Sequence, residues 1–233
     1  MLYFIVNTTS KSGKGKEVWK EIRGQLSNYS LPYKAFRTKY EGHATWLAKK
    51  ICQLDDEDIN IIVVGGDGTV NEVVNGITDF SKVKFGVIPA GSGNDFARGL
   101  GIPKDTEKAL NIILHSRKRR KIDIGVLRYG DKMRRFGVSA GFGYDAAICH
   151  EICVSKVKKF FNKLHLGKLA YVSLSLHCLY RCTPKPMTII MDDCQKLNFQ
   201  KAYFATAMNL PYEGGGCKFC PNAKADDRLL DLI

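Results

Sequence analysis

The stretch "INIIVVGGDGTVNEVVNG", residues 59–76, combines an apolar run, a glycine-rich turn and a helical pattern. The run "INIIVV" is typical of a strand that is buried on both faces of a parallel sheet. Gly65, Gly66 and Gly68 allow a tight turn and a close approach of the backbone to a ligand. The free amides and the dipole at the start of the following helix attract anions. The stretch therefore predicts a parallel α/β domain with a phosphate site after this strand.

Asp67 places a negative charge inside this turn. Aspartate is common in turns, so one interpretation is a turn-forming role alone. A bare carboxylate about 4 Å from a phosphate oxygen would cost several kcal/mol at an effective dielectric constant of about 20. A divalent cation between the two groups makes the interaction favourable instead. We therefore predict that Asp67 acts on metal-bound phosphate such as Mg·ATP. Thr69 and Glu72 have capping-box spacing, so helix capping is the alternative interpretation of both residues.

Two more polar turns are expected at the same edge of the sheet. The stretch "GVIPAGSGNDFARGLGIP", residues 86–103, places small residues before Asn94, Asp95 and Arg98 at a predicted helix start. The stretch "NTTSKSGKG", residues 7–15, follows the first strand and carries lysines. Turns after neighbouring parallel strands form a cleft at the carboxyl edge of the sheet. The glycine turn does not have the GxGxxG pattern and no GxxxxGK[ST] motif occurs, which weakens the Rossmann and Walker A interpretations.

The order of patterns along the chain predicts two domains. Up to about residue 120, strands "LYFIV", "YKAFRT", "INIIVV" and "KFGVIP" alternate with helices "GKEVWKEIRGQL", "HATWLAKKICQL" and "TVNEVVNGI". A hairpin then begins in "IDIGVLRYGDKMRRFGVSAGFG", and after two helical stretches come the strands "PMTIIMDD" and "LNFQKAYFATAMN". We therefore predict the α/β fold class, with a three-layer parallel-sheet domain at residues 1–121 and a β-rich domain at residues 122–233.

The charge of the chain indicates an anionic partner. The formal net charge is +13 and the pI is about 9.4. The stretches "RKRRK", residues 117–121, and "SKVKKFFNKLHLGKLAYVSLSLHCLY", residues 155–180, fit contact with an acidic membrane surface. We find no nucleic-acid-binding motif, no secretory leader and no run of about 18 apolar residues. The sequence therefore predicts a cytoplasmic protein that associates peripherally with anionic phospholipid, and no nucleic acid as partner.

The two motifs "GGDGTVNEVVNG" and "GVIPAGSGNDFARGLGIP" together resemble the diacylglycerol kinase catalytic domain family. This family also takes in sphingosine and ceramide kinases and soluble bacterial lipid kinases. The resemblance covers essentially the whole chain, and it implies Mg²⁺- and ATP-dependent phosphorylation of a lipid hydroxyl, with diacylglycerol giving phosphatidic acid. It also implies a nucleotide between an α/β domain and a β-sandwich. NAD kinases and phosphofructokinases share turns similar to GGDGT, so an NAD kinase-like enzyme, or a nucleotide-binding fragment without turnover, is the alternative.

The resemblance also implies roles for individual residues. It places ATP contacts at Asn7, Thr8, Thr9, Ser10, Gly13, Thr38, Gly65, Gly66, Asp67, Gly68, Thr69, Val70, Asn71, Glu72 and Ser92. It places a catalytic acidic cluster at Asp67, Asp95 and Asp123. It places a structural Mg²⁺ at Lys224 and Leu229, through backbone oxygens, and at the carboxylate of Asp227. The chain departs from the family pattern at Thr8, where the family has proline, and at Arg228, where it has glycine that takes a positive φ more easily.

The general base of the family is a glutamate in a late Asp-Gly-Glu stretch. Asp67-Gly68 is the only Asp-Gly pair in this chain, and the sequence ends in the apolar strand pattern "LLDLI". We therefore expect the β-rich domain to be incomplete, the general-base glutamate to lie beyond residue 233, and this chain to be weakly active or inactive. The alternative is that Glu72 or Asp123 serves as the base. The expected partner is a lipid substrate at a membrane surface, and the sequence leaves open whether the chain forms a homodimer.

Overall fold

A computed structural model describes residues 1–29, 31–56, 58–116, 119–144, 146 and 180–233. These residues form two compact units, Met1–Ser139 with Met208–Asp231 and Ala140–Ala207 with Leu232–Ile233. The first unit thus extends past residue 121, the boundary expected from the sequence, and takes in a later segment. Three parts of the predictions lie outside the described residues: the helical stretches before residue 180, residues 155–179 of the second basic stretch, and the first two residues of "RKRRK".

The first unit contains a parallel sheet of four strands. These strands are β1 (Leu2–Val6), β2 (Tyr33–Arg37), β3 (Ile59–Gly65) and β4 (Val83–Pro89), and their order in the sheet is β2-β1-β3-β4. The helices are α1 (Lys14–Leu26), α2 (His43–Ile51), α3 (Asp67–Gly76), α4 (Asp95–Gly99) and α5 (Thr106–His115), and a short 3-10 turn covers Ser10–Gly13. The parallel α/β domain predicted from the sequence is confirmed.

The alternation of side chains along each strand explains the three layers. Ile5 and Val63 point to one face, where they pack with the apolar side chains of α2 and α3. Phe4 and Val64 point to the other face, where they pack with α1 and α5. On α2, the apolar side chains of Ala44, Leu47, Ala48 and Ile51 are buried on one face. Because β1 and β3 are buried on both faces, the two core clusters fix the positions at which their turns begin.

A hairpin packs against α3 within the same unit. Its strands are β5 (Gly125–Tyr129) and β6 (Lys132–Phe136), which pair antiparallel. The Asn75 side chain accepts a hydrogen bond from the Arg135 amide and donates one to the Arg135 carbonyl, both at 2.9 Å. The Asn71 amide group donates to the same carbonyl at 2.9 Å. The two asparagines of "NEVVNG" therefore fix the hairpin to α3.

The β-rich part of the chain contains two further sheets. Strands β7 (Ser139–Gly143), β10 (Phe204–Met208) and β11 (Asp231–Leu232) form a sheet in the order β11-β10-β7. Strands β8 (Lys185–Met191) and β9 (Gln195–Ala202) form an antiparallel pair. The single strand expected over residues 197–209 is therefore wrong, because the chain divides there into β9 and β10. A β-rich C-terminal part is confirmed, and no described helix has the length and apolar composition needed to cross a bilayer.

Two glycines of α1 are predicted to respond in opposite directions to substitution by alanine. A Cβ atom on Gly15 would lie 2.1 Å from the carbonyl oxygen of Asn7, whereas one on Gly24 would meet nothing within 4 Å. We expect Gly24→Ala to raise the free energy of unfolding by about 0.5–1 kcal/mol, because the unfolded chain loses freedom. We expect Gly15→Ala to lower it by about 1–3 kcal/mol through overpacking. Urea unfolding of both variants measures this, and shifts of the same sign would contradict the contact geometry.

Candidate active site

Four turns meet at the carboxyl edge of the parallel sheet. The strands of this sheet end at Val6, Arg37, Gly65 and Pro89, and each is followed by a residue that the sequence analysis named as an ATP contact or by a turn that it predicted. The Asn7 amide donates to the Val64 carbonyl and the Thr38 amide to the Val6 carbonyl, each at 2.9 Å. The structure therefore brings the turns that begin at Asn7, Thr38, Gly66 and Ala90 to one side of the sheet, as predicted.

The glycine turns after β3 and β4 are in direct backbone contact. A Cβ atom on Gly66 would lie 2.9 Å from the Cα of Gly91, and one on Gly91 would lie 2.4 Å from the Cα of Gly66. The Asn94 side chain closes the second turn, accepting from the Gly91 amide and donating to the Gly91 carbonyl at 2.9 Å each. The two turns therefore form one backbone surface, with Gly68 and Ser92 exposed beside it.

Asp67 has a contact that its sequence context does not reveal. It is the first residue of α3, and its Oδ1 accepts a hydrogen bond of 3.0 Å from the Phe96 amide in the first turn of α4. Its Oδ2 lies 2.9 Å from the point where a Cβ atom on Gly93 would stand. One carboxylate oxygen therefore stabilises the start of a neighbouring helix, while the other lies beside Gly93 in the second glycine turn.

Thr69 and Glu72 connect neighbouring turns and do not form a capping box. The start of α3 has no side-chain capping hydrogen bond. Thr69 Oγ1 instead accepts a 3.0 Å hydrogen bond from the Asn7 side chain, and Glu72 Oε2 accepts one of 3.1 Å from the Ala44 amide in the first turn of α2. The capping alternative for these two residues is therefore wrong, since α3 begins two residues before Thr69.

Asp95 is a buried acid with several partners. Only 6% of its surface is exposed, its Oδ2 accepts a hydrogen bond of 2.7 Å from the Gly215 amide, and its Oδ1 pairs with the guanidinium of Arg98. Burial raises the pKa of Asp95, and the charge of Asp67 raises it further, against the opposing effects of the Gly215 and Gly216 amides and of Arg98. Asp95 Oδ2 lies 3.4 Å from the Cβ position of Gly93, so both acids face the same point.

The segment 212–217 belongs to this site, and the sequence analysis missed it. Gly214, Gly215 and Gly216 have φ values of 66°, 85° and 114°, which present the Gly215 amide to Asp95. The Arg98 guanidinium carbon lies 5.7 Å from the centre of the Tyr212 ring, a cation–π contact. The run of three glycines in "YEGGGC" was the available signal, but nothing in the sequence connects it with a residue 120 positions earlier.

The third predicted acid makes different contacts. Asp123 Oδ2 accepts a hydrogen bond of 2.7 Å from the Arg228 amide. Arg228 takes a φ of 64°, the conformation that the family's glycine would favour, so this turn forms despite the substitution. Asp227 Oδ1 accepts from the Leu229 amide at 3.1 Å, and the side chains of Lys224 and Leu229 are exposed. Within the described ranges, no group of three or more His, Cys, Asp or Glu side chains could hold a metal ion.

The remaining predicted ATP contacts divide into two groups. Thr9 and Ser10 donate hydrogen bonds to Asn7 and so shape the first turn, where Lys11, Ser12 and Gly13 all have positive φ values. Val70 is only 4% exposed and packs in the core between the sheet, α2 and α3. The Asn71 side chain binds the backbone of β6 and the Arg134 guanidinium. For Val70 and Asn71, the side chains therefore serve the fold, and the Val70 amide donates to the Gly66 carbonyl.

Comparison with known proteins gives consistent matches. The family model described as diacylglycerol kinase catalytic domain matches residues 1–127, and the one described as YegS C-terminal NAD kinase beta sandwich-like domain matches residues 139–233. The chain is 33% identical to a diacylglycerol kinase of Staphylococcus carnosus over 98% of this chain and 70% of the relative. It is 40% identical to that of Staphylococcus haemolyticus over 98% and 65%. A crystal structure of a Bacillus anthracis diacylglycerol kinase shares its fold, with a TM-score of 0.71, 24% identity and coverage of 100% and 74%.

Proposed function

This chain belongs to the diacylglycerol kinase catalytic domain family, and we propose that it is an ATP- and Mg²⁺-dependent kinase that transfers the γ-phosphate to a lipid hydroxyl. The acceptor that we propose is diacylglycerol, which gives phosphatidic acid. One observation carries the proposal: Asp67 Oδ2 and Asp95 Oδ2 both face the Cβ position of Gly93, at 2.9 and 3.4 Å, beside two joined glycine turns. Such a pair of acids next to phosphate-binding amides suits a metal-bound polyphosphate.

The fit to Mg²⁺ can be judged from the donor groups. In phosphoryl-transfer sites Mg²⁺ usually keeps several waters and takes one or two carboxylates together with substrate phosphates. Asp67 Oδ2 and Asp95 Oδ2 lie 2.9 and 3.4 Å from the Cβ position of Gly93, and the Cα of Gly215 lies 3.5 Å from the same point. We propose these two residues as the Mg²⁺ ligands, directly or through water. The ion would neutralise the charge on the phosphate oxygens during transfer.

The second proposed metal site concerns the turn at residues 224–229. We propose that Lys224 and Leu229 offer backbone oxygens and Asp227 its carboxylate to a structural Mg²⁺. The left-handed conformation of Arg228 supports this proposal, because the backbone keeps the shape that a glycine would give. The hydrogen bond from the Arg228 amide to Asp123 holds the same turn in place.

The described residues suggest how the chain binds and orients the nucleotide. We propose that the backbone beside Gly13 and Gly68 binds phosphate oxygens, because a Cβ atom on either glycine would meet nothing within 4 Å. In the transfer, the bond from the γ-phosphorus to ADP breaks as the bond to the acceptor oxygen forms, and the hydroxyl proton passes to a base. Glu72 and Asp123, the two alternative bases, accept hydrogen bonds from the amides of Ala44 and Arg228. The glutamate expected beyond residue 233 stays a prediction.

The test is a transfer assay with radiolabelled ATP in mixed micelles. Diacylglycerol, ceramide, sphingosine and phosphatidylglycerol serve as lipid acceptors, and NAD serves in a separate arm. We expect labelled phosphatidic acid under single-turnover conditions, with Mg²⁺ required. Labelled NADP would instead favour the NAD kinase-like alternative. ATP binding without any product would favour a nucleotide-binding chain without turnover, and either outcome would contradict the proposal.

We propose further that the chain binds anionic membrane surfaces. The net charge of +13 supports this proposal. The clustering of lysines and arginines in the stretch that begins at residue 117 and in the one that begins at residue 155 supports it as well. We expect cosedimentation with vesicles of phosphatidylglycerol at low salt and release as salt rises, because charge attraction is screened within about 10 Å at 0.1 M. Vesicles of neutral phosphatidylcholine are the control. Binding to both kinds of vesicle, or binding that persists at about 1 M salt, would contradict an electrostatic origin.

A further inference from the structure

Three aromatic residues after β2 form a chain of ring contacts at the carboxyl edge of the sheet. The rings of Tyr40 and His43 stack with centroids 4.6 Å apart and planes inclined by 21°. His43 also stacks on Trp46, at 5.6 Å and 28°. The ammonium group of Lys50 lies 5.9 Å from the centre of the Trp46 ring. We call Tyr40, His43 and Trp46 the aromatic stack.

The aromatic stack has a fixed middle and exposed ends. His43 is 8% exposed and its Nδ1 accepts a hydrogen bond of 3.1 Å from the Lys39 amide, which sets the orientation of the ring. Tyr40 and Trp46 are 64% and 51% exposed. Lys50 covers the Trp46 end, whereas in the described part of the chain Tyr40 has a ring partner only in His43. The stack is therefore open at Tyr40 to one more flat ring.

The position of the aromatic stack matches one end of a nucleotide. In the strand order β2-β1-β3-β4, Asp67 follows β3 and Asp95 follows β4. Tyr40 follows β2, which lies two strand positions from β3 and three from β4. The first helical turn after Tyr40 is tied to the glycine-turn helix through the Ala44 amide and Glu72. If the phosphates lie between the acids and the turn after β1, the base of the nucleotide points toward β2.

We propose that Tyr40 is the surface on which the base of the nucleotide stacks, and that a purine ring extends the aromatic stack there. This inference rests on the proposed function, since it concerns the nucleotide of that same site. Aromatic rings attract a planar base without strong sequence preference because each base offers a π-face. The ring of His43, fixed by its hydrogen bond, orients the Tyr40 ring before the base binds. The Tyr40 side chain therefore loses little conformational entropy on binding.

The experiment compares two ligands that differ by the nucleoside. Calorimetry measures the binding of Mg·ADP and of Mg·tripolyphosphate to the parent protein and to Tyr40→Leu, Tyr40→Phe and Tyr129→Leu. Tyr129 is the matched control, because it is a tyrosine on β5 that is 52% exposed. We expect Tyr40→Leu to weaken ADP by about tenfold and to leave tripolyphosphate unchanged. Tyr40→Phe and Tyr129→Leu should bind both ligands as the parent does.

The outcomes separate this inference from the proposed function. Equal ADP affinity in the parent and in Tyr40→Leu overturns the base-stacking role and leaves nucleotide binding intact. Equal losses for ADP and tripolyphosphate also overturn it, because the change would then act on the phosphate turns. A parent protein that binds neither ligand overturns the inference together with the proposed function. Loss of vesicle binding by Tyr40→Leu with unchanged ADP affinity would assign the aromatic stack to the membrane instead.

Discussion

Replacing Asp67 with asparagine is expected to reduce the affinity for ATP in the presence of Mg²⁺ by about ten- to a hundredfold and to leave the fold intact. The asparagine oxygen can still accept the hydrogen bond from the Phe96 amide, which Asp67 Oδ1 accepts at 3.0 Å. The negative charge that faces Gly93 is lost. ATP affinity should therefore fall only where the cation takes part, and ATP affinity measured in a chelator should not fall, because the variant lacks the carboxylate that repels the phosphate.

Asp67→Ala provides the comparison that separates charge from capping. This variant loses the hydrogen bond to the Phe96 amide as well as the charge, so its free energy of unfolding should fall by about 1 kcal/mol. Asp67→Asn should unfold at the same urea concentration as the parent. Calorimetry with ATP in Mg²⁺ and in a chelator, together with urea unfolding, measures both effects. Mg²⁺-dependent ATP affinity that is unchanged in Asp67→Asn would show that Asp67 serves the fold alone.

Replacing Arg98 with methionine is expected to cost about 3–5 kcal/mol of the free energy of unfolding. Asp95 is 6% exposed, and removal of its guanidinium partner leaves a buried carboxylate without a compensating cation. The Tyr212 ring loses its cation–π partner in the same variant. We expect the double variant Asp95→Asn with Arg98→Met to recover most of the loss, because no buried charge remains. Urea unfolding of the parent, both single variants and the double variant measures the coupling. Equal losses of unfolding free energy in Arg98→Met and in the double variant would contradict a coupling between Asp95 and Arg98.

The pH dependence of Asp95→Asn follows from the raised pKa of Asp95. The pKa of this group in the folded protein lies above its ordinary value, chiefly because of burial. The folded state therefore holds the proton more tightly, so the contribution of Asp95 to stability is present at low pH and is lost as pH rises through the raised pKa. Relative to the parent, Asp95→Asn should become more stable as pH increases from about 4. A difference between the two proteins that does not depend on pH would contradict this sign.

The sequence predicts the parallel sheet and the meeting of its turns because both follow from local patterns. The apolar run ending at Val64 and the glycines after it determine strand, turn and helix within a few residues. The partners of the polar side chains are not predictable in this way. Asp67 binds an amide 29 positions later, and Asp95 binds one 120 positions later. Such pairs are set by tertiary packing, and contacts between residues so far apart in the chain produce no repeating pattern in a single sequence.

The predicted roles of Glu72 and Asn71 also show that a local motif does not reveal the contacts of its side chains. Their motif "NEVVNG" indicates a helix, and a helix is found. Each side chain, however, satisfies the backbone of a different element: Glu72 accepts from the Ala44 amide, and Asn71 donates to the Arg135 carbonyl. A motif that looks like ligand chemistry thus also carries the contacts that assemble helices and hairpin around the site.

The contact between Gly66 and Gly91 limits how this site can vary. A substitution that clashes with a side chain can often be rescued by a smaller residue at the second position. At these two positions each new Cβ atom would instead meet the Cα of the partner, an atom that every residue possesses. No second change at the partner position can make room, so the pair has no compensating combinations. In a library that randomises both codons together, glycine at both should be the solution that survives selection for a folded protein.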